Sequence, residues 1–183
     1  MREIEESIWQ MNYQKIGGID EVGRGPLAGP VISSVVVVEK TTFIEGVKDS
    51  KKLSAKKREY FFEKIKESCI DIGIGSVDEE TIDQINIYQA TILSMKKALN
   101  NLKIKPDFIL VDGLFIPDLN IPQKKIIKGD NLCFSIASAS IIAKVTRDRY
   151  MDKMHEIYPQ YNFKKNKGYG TFEHLEVLNI WTL

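Results

Sequence analysis

The fold is decided by residues 15–38, which read KIGGIDEVGRGPLAGPVISSVVVV. This stretch holds two apolar runs, Lys15–Ile19 and the strongly β-branched Val31–Val38, and both favour strands because branched side chains pack well on a pleated sheet. The intervening Gly23–Pro30 is rich in glycine and proline, which predicts an irregular loop. Two acids stand where the first run ends. The stretch therefore predicts a strand with an acidic end, a loop and a second strand.

Further along the chain, predicted helices alternate with predicted strands. Ser54 and Asp78 have the residue type and position of helix N-caps. The remaining predicted elements are helices at Ala55–Ser68, from Asp78 to about Asn101, Ser135–Tyr158 and Thr171–Asn179, and strands at Ile70–Val77, Asp107–Val111 and Lys124–Ile127. This order predicts an α/β protein with a central mixed β-sheet flanked by helices. Residues 1–183 are expected to form one domain, with about 171–183 as a C-terminal helix.

The composition is that of an ordinary globular protein. Hydrophobic residues make up 43% of the 183 residues and charged residues 28%, which argues against intrinsic disorder. The net charge of +1 is uninformative about nucleic acids. Two local basic clusters, Lys48–Arg58 and Lys164–Lys167, are either solvated surfaces or phosphate-binding sites, because phosphate binding needs only local positive charge.

The sequence predicts a soluble protein of a reducing compartment. Cys69 and Cys133 show no metal-binding spacing, so both are interpreted as reduced thiols. The polar, acidic N-terminus does not resemble a signal peptide, and Val31–Val38 is too short to span a bilayer. A cytoplasmic location is therefore expected.

Asp20 and Glu21 are the first candidate functional residues. Paired carboxylates at a strand end suit a hard cation such as Mg²⁺, which prefers oxygen ligands. Neighbouring side chains of a strand point to opposite faces, so both acids serve one site only if the strand breaks near Glu21, and Gly23 favours such a break. An acidic turn after a strand explains the pair equally well.

Three more acids stand at or near the ends of predicted elements. Asp112 follows a strand but belongs to an Asp-Gly pair that is common in turns. Asp130 precedes the long helix and has the alternative role of a cap. Asp148 lies inside that helix, where a solvated charged face is the default interpretation. Taken together, acids at separate strand and helix ends are what a two-metal phosphodiester site requires.

Two glycine-rich segments are candidates for ligand contact. Gly23-Arg24-Gly25 offers backbone N–H groups without Cβ obstruction. Tyr169 lies between two glycines, so it is either an exposed aromatic suited to a sugar or base, or a tyrosine that closes the core. His155 and His174 lie in different segments and do not make a zinc site.

Six segments taken together resemble the ribonuclease HII family, from about Gly17 to His174. They are 18–31 (GIDEVGRGPLAGPV), 48–53 (KDSKKL), 111–113 (VDG), 128–130 (KGD), 138–148 (SASIIAKVTRD) and 167–171 (KGYGT) followed by His174. The related ribonuclease HIII usually has Gly-Lys-Gly in the loop and an extra N-terminal domain, whereas this chain has Gly-Arg-Gly and few residues before Asp20. Family members commonly continue into a basic tail, so an end at Leu183 implies reduced substrate affinity.

The resemblance implies a ribonuclease H-like fold and assigns roles to the candidate residues. Asp20, Glu21, Asp112 and Asp130 would be the catalytic metal ligands for two Mg²⁺ or Mn²⁺ ions, with Asp148 as a further acid near the site. Gly23, Arg24 and Gly25 would contact the ribose 2′-hydroxyl, which distinguishes RNA from DNA. Tyr169 would pack on the neighbouring sugar, and Lys48, Ser50 and Lys51 would contact backbone phosphates.

The implied function is that of an endoribonuclease in DNA repair and replication. It would cut the RNA strand of RNA–DNA hybrids and incise 5′ of single ribonucleotides in duplex DNA, leaving 3′-hydroxyl and 5′-phosphate ends, as a monomer without membrane contact. Two rivals stay open: a non-catalytic nucleic-acid binder with the same fold, and a nuclease of DNA junctions. The complete set of acids argues against the first, and an all-DNA duplex would separate the second.

Overall fold

Five strands form one mixed sheet with helices on both faces in this computed structural model, which describes residues 1–181. The strands are β1 (Ile16–Val22), β2 (Val31–Val38), β3 (Asp71–Val77), β4 (Phe108–Asp112) and β5 (Gln123–Ile126). The helices are α1 (Glu3–Gln10), α2 (Ala55–Ser68), α3 (Glu79–Asn100), α4 (Gly129–Leu132), α5 (Phe134–Ile157), α6 (Phe163–Asn166) and α7 (Phe172–Trp181). Residues 182 and 183 of the predicted C-terminal helix lie outside the described residues.

The sheet has the strand order β3-β2-β1-β4-β5, with β1 at its centre. β1, β2 and β3 are antiparallel neighbours, whereas β4 and β5 continue the sheet parallel to β1. β1 and β4 therefore end at the same edge of the sheet. The loop between β1 and β2 leaves from that edge too, so the edge gathers segments that are far apart in sequence.

Helix α5 packs closely on one face of the sheet because both partners carry small residues at the contact. A Cβ atom on Gly18 of β1 would lie 2.2 Å from the backbone carbon of Ser135. The hydroxyl of Ser34 on β2 donates a 2.7 Å hydrogen bond to the carbonyl of Ala139. The small-residue run of α5 thus lets the helix backbone approach the strands directly.

The opposite face of the sheet carries α3. Ile19, Val35 and Ile109 point to this face and form one buried cluster with Met95 and Leu99 of the helix. Apolar burial of this kind contributes roughly 25 cal/mol per Å² of buried surface. Side chains along β1 therefore alternate between the two faces of the sheet. Ile19 faces α3, whereas Gly18 faces α5.

Most predicted elements are confirmed, with ends shifted by a few residues. The predicted caps Ser54 and Asp78 accept hydrogen bonds from Lys57 N–H and Thr81 N–H. The sequence interpretation missed α1, the short helices α4 and α6, and the kink at Asn86 inside α3, where a φ of 67° interrupts the helix. Cys69 and Cys133 are free. No helix within residues 1–181 is long and apolar enough to cross a membrane.

The close contact of α5 with β1 predicts that one added methyl group at Gly18 strongly lowers the stability of the fold. Gly18→Ala forces its Cβ against the backbone of α5, and overpacking of this kind costs about 1–3 kcal/mol or more. We expect a clear drop in the thermal unfolding midpoint measured by circular dichroism. Gly17→Ala is the matched control, because its nearest neighbour is a Pro106 ring carbon at 3.0 Å. Equal midpoints for the two variants would contradict this packing.

Candidate active site

Asp20 and Asp112 come together because their strands run in parallel. The last paired positions of β1 and β4 are Ile19 and Val111, and each acid follows its pair directly. Neighbouring strands lie about 4.8 Å apart. The two acids therefore stand side by side at the carboxyl edge of the sheet, where α/β proteins commonly place their sites.

Asp130 reaches the same edge on the short helix α4. The carboxylate of Asp112 accepts a 2.7 Å hydrogen bond from the backbone N–H of Gly129, and this bond ties the turn before Asp130 to the end of β4. Asp130 is buried and accepts a 2.8 Å bond from the side chain of Asn131. Asp112 thus both belongs to the acidic cluster and positions another of its members.

Glu21 reaches the site by a route that the sequence interpretation described wrongly. The strand does not break near Glu21: β1 stays paired with β2 through Val22, and only Gly23 leaves the extended region, with a φ of 106°. Asp20 therefore faces α5 and Glu21 faces α3. Both can serve one site because β4 ends at Asp112, which leaves the edge of β1 open beyond that point.

Glu21 has one paired oxygen and one unpaired oxygen. Its Oε1 lies 3.1 Å from the Arg24 guanidinium, whereas its Oε2 is buried without a hydrogen-bond partner. A buried carboxylate oxygen without a partner costs free energy. An added cation at this position would supply the missing partner.

Burial and neighbouring carboxylates raise the pKa of three acids of this edge, Asp20, Glu21 and Asp112. Burial, followed by the nearby Glu21 and Asp112, raises the pKa of Asp20 well above its usual range, although Ser140 and the Glu21 N–H donate opposing hydrogen bonds. Burial also raises the pKa of Glu21 and of Asp112. The Asp130 carboxylate adds to the rise at Asp112. Four carboxylates thus share one electrostatic environment.

The chemistry of this donor set fits a hard divalent ion. Every candidate ligand is a carboxylate, the donor type that suits Mg²⁺ and Mn²⁺. Within residues 1–181, no three acidic, histidine or cysteine side chains are already arranged as a ligand set around one point. Like-charged carboxylates repel one another, so closure of such a set requires a cation between them.

Three of the four acids line one of two neighbouring clefts. One has a volume of about 420 Å³ and is lined by Glu21, Val22, Gly23, Arg24, Gly25, Lys51, Ile87 and Tyr169. The other has a volume of about 520 Å³ and is lined by Asp49, Lys51, Lys52, Asp112, Gly113, Lys128, Asp130 and Asn131. Lys51 borders both. We call the first the glycine cleft and the second the lysine cleft.

The sequence left open whether Tyr169 is exposed or closes the core, and in the structure it is exposed. Its side chain lines the glycine cleft, and the residue is 43% exposed. Its ring carbon Cε1 lies 3.7 Å from the place a Cβ on Gly25 would occupy. His174 is buried below and donates through Nδ1 to the carbonyl of Tyr169, 2.9 Å away. The aromatic ring and the glycine loop therefore face one another across the cleft.

The predicted phosphate contacts differ in where they point. Lys51 lies in both clefts, Lys48 is exposed outside their linings, and Ser50 is buried. The hydroxyl of Ser50 lies 2.9 Å from that of Ser140, which in turn bonds Asp20. Ser50 therefore connects the lysine segment to the acidic cluster through Ser140, a residue that the sequence interpretation did not single out.

Asp148 makes its contacts with cations. Its carboxylate lies 2.7 Å from the Lys144 ammonium and 3.7 Å from the Arg58 guanidinium. It lines neither cleft. The sequence missed Lys52, Lys128 and Asn131 of the lysine cleft as individual residues. The sequence could have indicated Lys52 and Lys128, because they lie within the family-like segments 48–53 and 128–130. Asn131 lies outside these segments.

Known proteins similar to this chain identify its family. A family model described as ribonuclease HII matches residues 17–179. The ribonuclease HII of Caldicellulosiruptor saccharolyticus is 52% identical over 176 residues, which make up 96% of this chain and 86% of that protein.

Solved structures show the same fold. The ribonuclease H2 of Pyrococcus horikoshii OT3 superposes with a TM-score of 0.80 at 32% identity, covering 91% of this chain and 86% of that one. Bst-RNase HIII, solved in complex with Mn²⁺, shares the fold with a TM-score of 0.69 at 17% identity, over 92% of this chain and 70% of that chain. The expected ribonuclease H-like fold is thereby confirmed.

The crowding of carboxylates predicts that Asp20→Asn stabilises the metal-free protein. Because the folded-state pKa of Asp20 is raised, the native state holds more protons than the unfolded state between the ordinary value of 3.8 and the raised value. The free energy of unfolding therefore falls as pH rises through that window. In EDTA at neutral pH, we expect a higher unfolding midpoint for the variant than for wild type.

The two proteins should converge at a pH below 3.8, where Asp20 is protonated in both states of the wild type. Divalent ions should raise the midpoint of wild type more than that of Asp20→Asn. Asp118→Asn is the control, because the Asp118 side chain is 90% exposed. A variant that is less stable than wild type at neutral pH would show that the carboxylates do not repel one another.

Proposed function

The chain belongs to the ribonuclease HII family, and from this premise we propose that it incises duplex DNA on the 5′ side of single embedded ribonucleotides as well as cutting the RNA strand of hybrids. Membership makes it a ribonuclease H, a hydrolase acting on RNA–DNA hybrids. The observation that carries the finer proposal is the adjacency of the acidic cluster and the glycine cleft. One site combines carboxylates that suit a phosphodiester reaction with a backbone surface that suits a ribose.

The four acids Asp20, Glu21, Asp112 and Asp130 are proposed as the ligands of two Mg²⁺ or Mn²⁺ ions. When bound, the ions would supply activation of an attacking water and stabilisation of the leaving 3′-oxygen, and the products would carry 3′-hydroxyl and 5′-phosphate ends. The unpaired Oε2 of Glu21 and the raised pKa values of its neighbours support this assignment. Asp148 is proposed as a further acid that acts near the site while it holds Lys144.

The chain's own residues hold these acids in place. Glu21 N–H donates a 2.8 Å bond to Asp20 Oδ1, and Gly129 N–H fixes Asp112. Arg24 holds one oxygen of Glu21, which leaves the other free for an ion. None of the acids is proposed to attack phosphorus. Their task is to present oxygen atoms toward one point at the edge of the sheet.

The glycine cleft is proposed to read the ribose. The backbone of Gly23, Arg24 and Gly25 would contact the 2′-hydroxyl, which is the group that separates a ribonucleotide from its DNA neighbours. Tyr169, on the opposite side of the cleft, would pack on the adjoining sugar. An aromatic ring so placed accepts a deoxyribose without reading sequence.

The lysines are proposed to hold the nucleic-acid backbone. Lys51 borders both clefts, so it would contact a phosphate next to the scissile bond. Lys48 and Ser50 belong to the same segment and are proposed to support this contact. We further propose that residues 1–183 act as one catalytic domain, as a monomer in the cytoplasm, on ribonucleotides left in DNA.

The proposed function is tested with a DNA duplex that contains one ribonucleotide. We expect incision on its 5′ side with Mg²⁺ or Mn²⁺ and none with EDTA. Asp112→Asn should bind the duplex but cut it at least about a hundredfold more slowly, because even residues that only support metal ligands are worth about 10–100-fold. Gel-resolved cleavage and fluorescence anisotropy measure the two properties.

An all-DNA duplex is the control in the same assay. Cleavage of that duplex would favour a junction nuclease, and binding without any cleavage would favour a non-catalytic nucleic-acid binder. Near-normal turnover by Asp112→Asn with Mg²⁺ would show that the acids are not the ligands.

Tyr169→Ala should discriminate between substrates. We expect a loss of about tenfold on the single ribonucleotide, in line with the ~1–3 kcal/mol of an aromatic contact with nucleic acid, and a smaller loss on a long RNA–DNA hybrid. The kcat/KM values of both substrates are to be compared. Tyr60→Ala, an exposed tyrosine on α2, should change neither. Equal losses on the two substrates would contradict a role for Tyr169 at the junction.

A further inference from the structure

Arg147 on α5 is fully buried, contrary to the charged surface expected around Asp148. Its guanidinium donates three hydrogen bonds, all to backbone carbonyls: Nε to Pro30 at 2.9 Å, Nη2 to Ala28 at 2.8 Å and Nη1 to Lys167 at 2.8 Å. A buried charge is tolerated only when its donors are satisfied. The planar fork of an arginine meets acceptors in several fixed directions, which the point charge of a lysine does not.

The three carbonyls belong to the two chain segments that contribute Gly23–Gly25 and Tyr169 to the lining of the glycine cleft. Ala28 and Pro30 belong to the loop that begins at Gly23, and Lys167 begins the turn that carries Tyr169. Gly23 itself approaches so closely that a Cβ atom there would lie 2.8 Å from Nε of Arg147. One side chain thus contacts both the loop proposed to read the 2′-hydroxyl and the turn of the aromatic ring.

Loop and turn also meet directly behind the guanidinium. The carbonyl of Gly168 accepts the N–H groups of Leu27 at 2.8 Å and Ala28 at 3.2 Å. Gly168 has a φ of 85°, and a Cβ atom there would lie 2.2 Å from the carbonyl oxygen of Ala28. This contact depends on the correct spacing of two irregular segments, because neither segment has the hydrogen bonds of a helix or sheet to fix it.

We propose that Arg147 is a positioning residue that sets the distance between the Gly23–Gly25 loop and Tyr169, and thereby the selectivity for a single ribonucleotide. Arg147 touches no proposed substrate atom, since Tyr169 and the glycine loop lie between it and the cleft. The selectivity part rests on the proposed function. The positional part concerns only the protein and is measured without substrate.

The positional part is tested by hydrogen exchange of the metal-free protein. In Arg147→Lys the charge remains but the three-way fork is lost, so the amides of Leu27 and Ala28 should exchange faster while those of β1 remain unchanged. Arg149→Lys is the matched control, because Arg149 is exposed and pairs with Glu59. Unchanged exchange at Leu27 and Ala28 in a folded Arg147→Lys would overturn the proposal.

The selectivity part is tested by kcat/KM on the single-ribonucleotide duplex and the long hybrid. A misplacement of ~1 Å can cost about a hundredfold, so we expect Arg147→Lys to lose about 10–100-fold on the first substrate and clearly less on the second. In a Tyr169→Ala background the same change should have little further effect. Equal losses on both substrates, or full additivity with Tyr169→Ala, would show a merely structural role.

Arg147→Gln, which keeps one donor group (an NH2 with two N–H) without the charge, serves if Arg147→Lys does not fold. It should shift the same amides and the same substrate ratio. If Tyr169→Ala shows no selectivity, the proposed function fails at that point, while the exchange data still decide whether Arg147 holds the two segments.

Discussion

The parallel pairing of β1 with β4 is the constraint on which the rest of the site depends. It places Asp20 and Asp112 next to one another although 91 residues separate them in the sequence (112 − 20 − 1). The carboxylate of Asp112 accepts a hydrogen bond from the Gly129 N–H, and this bond places Asp130 at the same edge of the sheet. Helix α5 lies directly on Gly18 of β1, where a Cβ atom would clash with the helix backbone.

The clustered acids of this edge lower the stability of the metal-free fold. Burial and mutual repulsion raise the pKa of three of the acids, and one oxygen of Glu21 has no partner. Such groups would be costly in a structural core. Under the proposed function, a divalent ion at the edge of the sheet would relieve this repulsion and supply the missing partner, so cation binding would stabilise the fold.

The substrate side of the site is built differently, from irregular backbone. The loop after β1 and the turn of Tyr169 have few regular hydrogen bonds, and the buried Arg147 replaces them with bonds to three carbonyls. In the proposed function, carboxylates held by strand ends and by α4 would bind metal ions in fixed directions, whereas the braced glycine loop would offer exposed N–H groups to a ribose.

The sequence by itself determined all five strands and the four longest helices, because strand and helix propensities are local properties. The family followed from local motifs such as those in residues 18–31 and 138–148. The sequence also identified the acids by residue type. It was wrong about a strand break near Glu21, since only the early end of β4 opens that edge of the sheet.

Only the tertiary structure showed three further features: the buried hydroxyl contact of Ser50 with Ser140, the burial of Arg147 and the kink at Asn86. A side chain's environment is set by segments distant along the chain, and no local pattern records which carbonyls or hydroxyls those segments will bring to it.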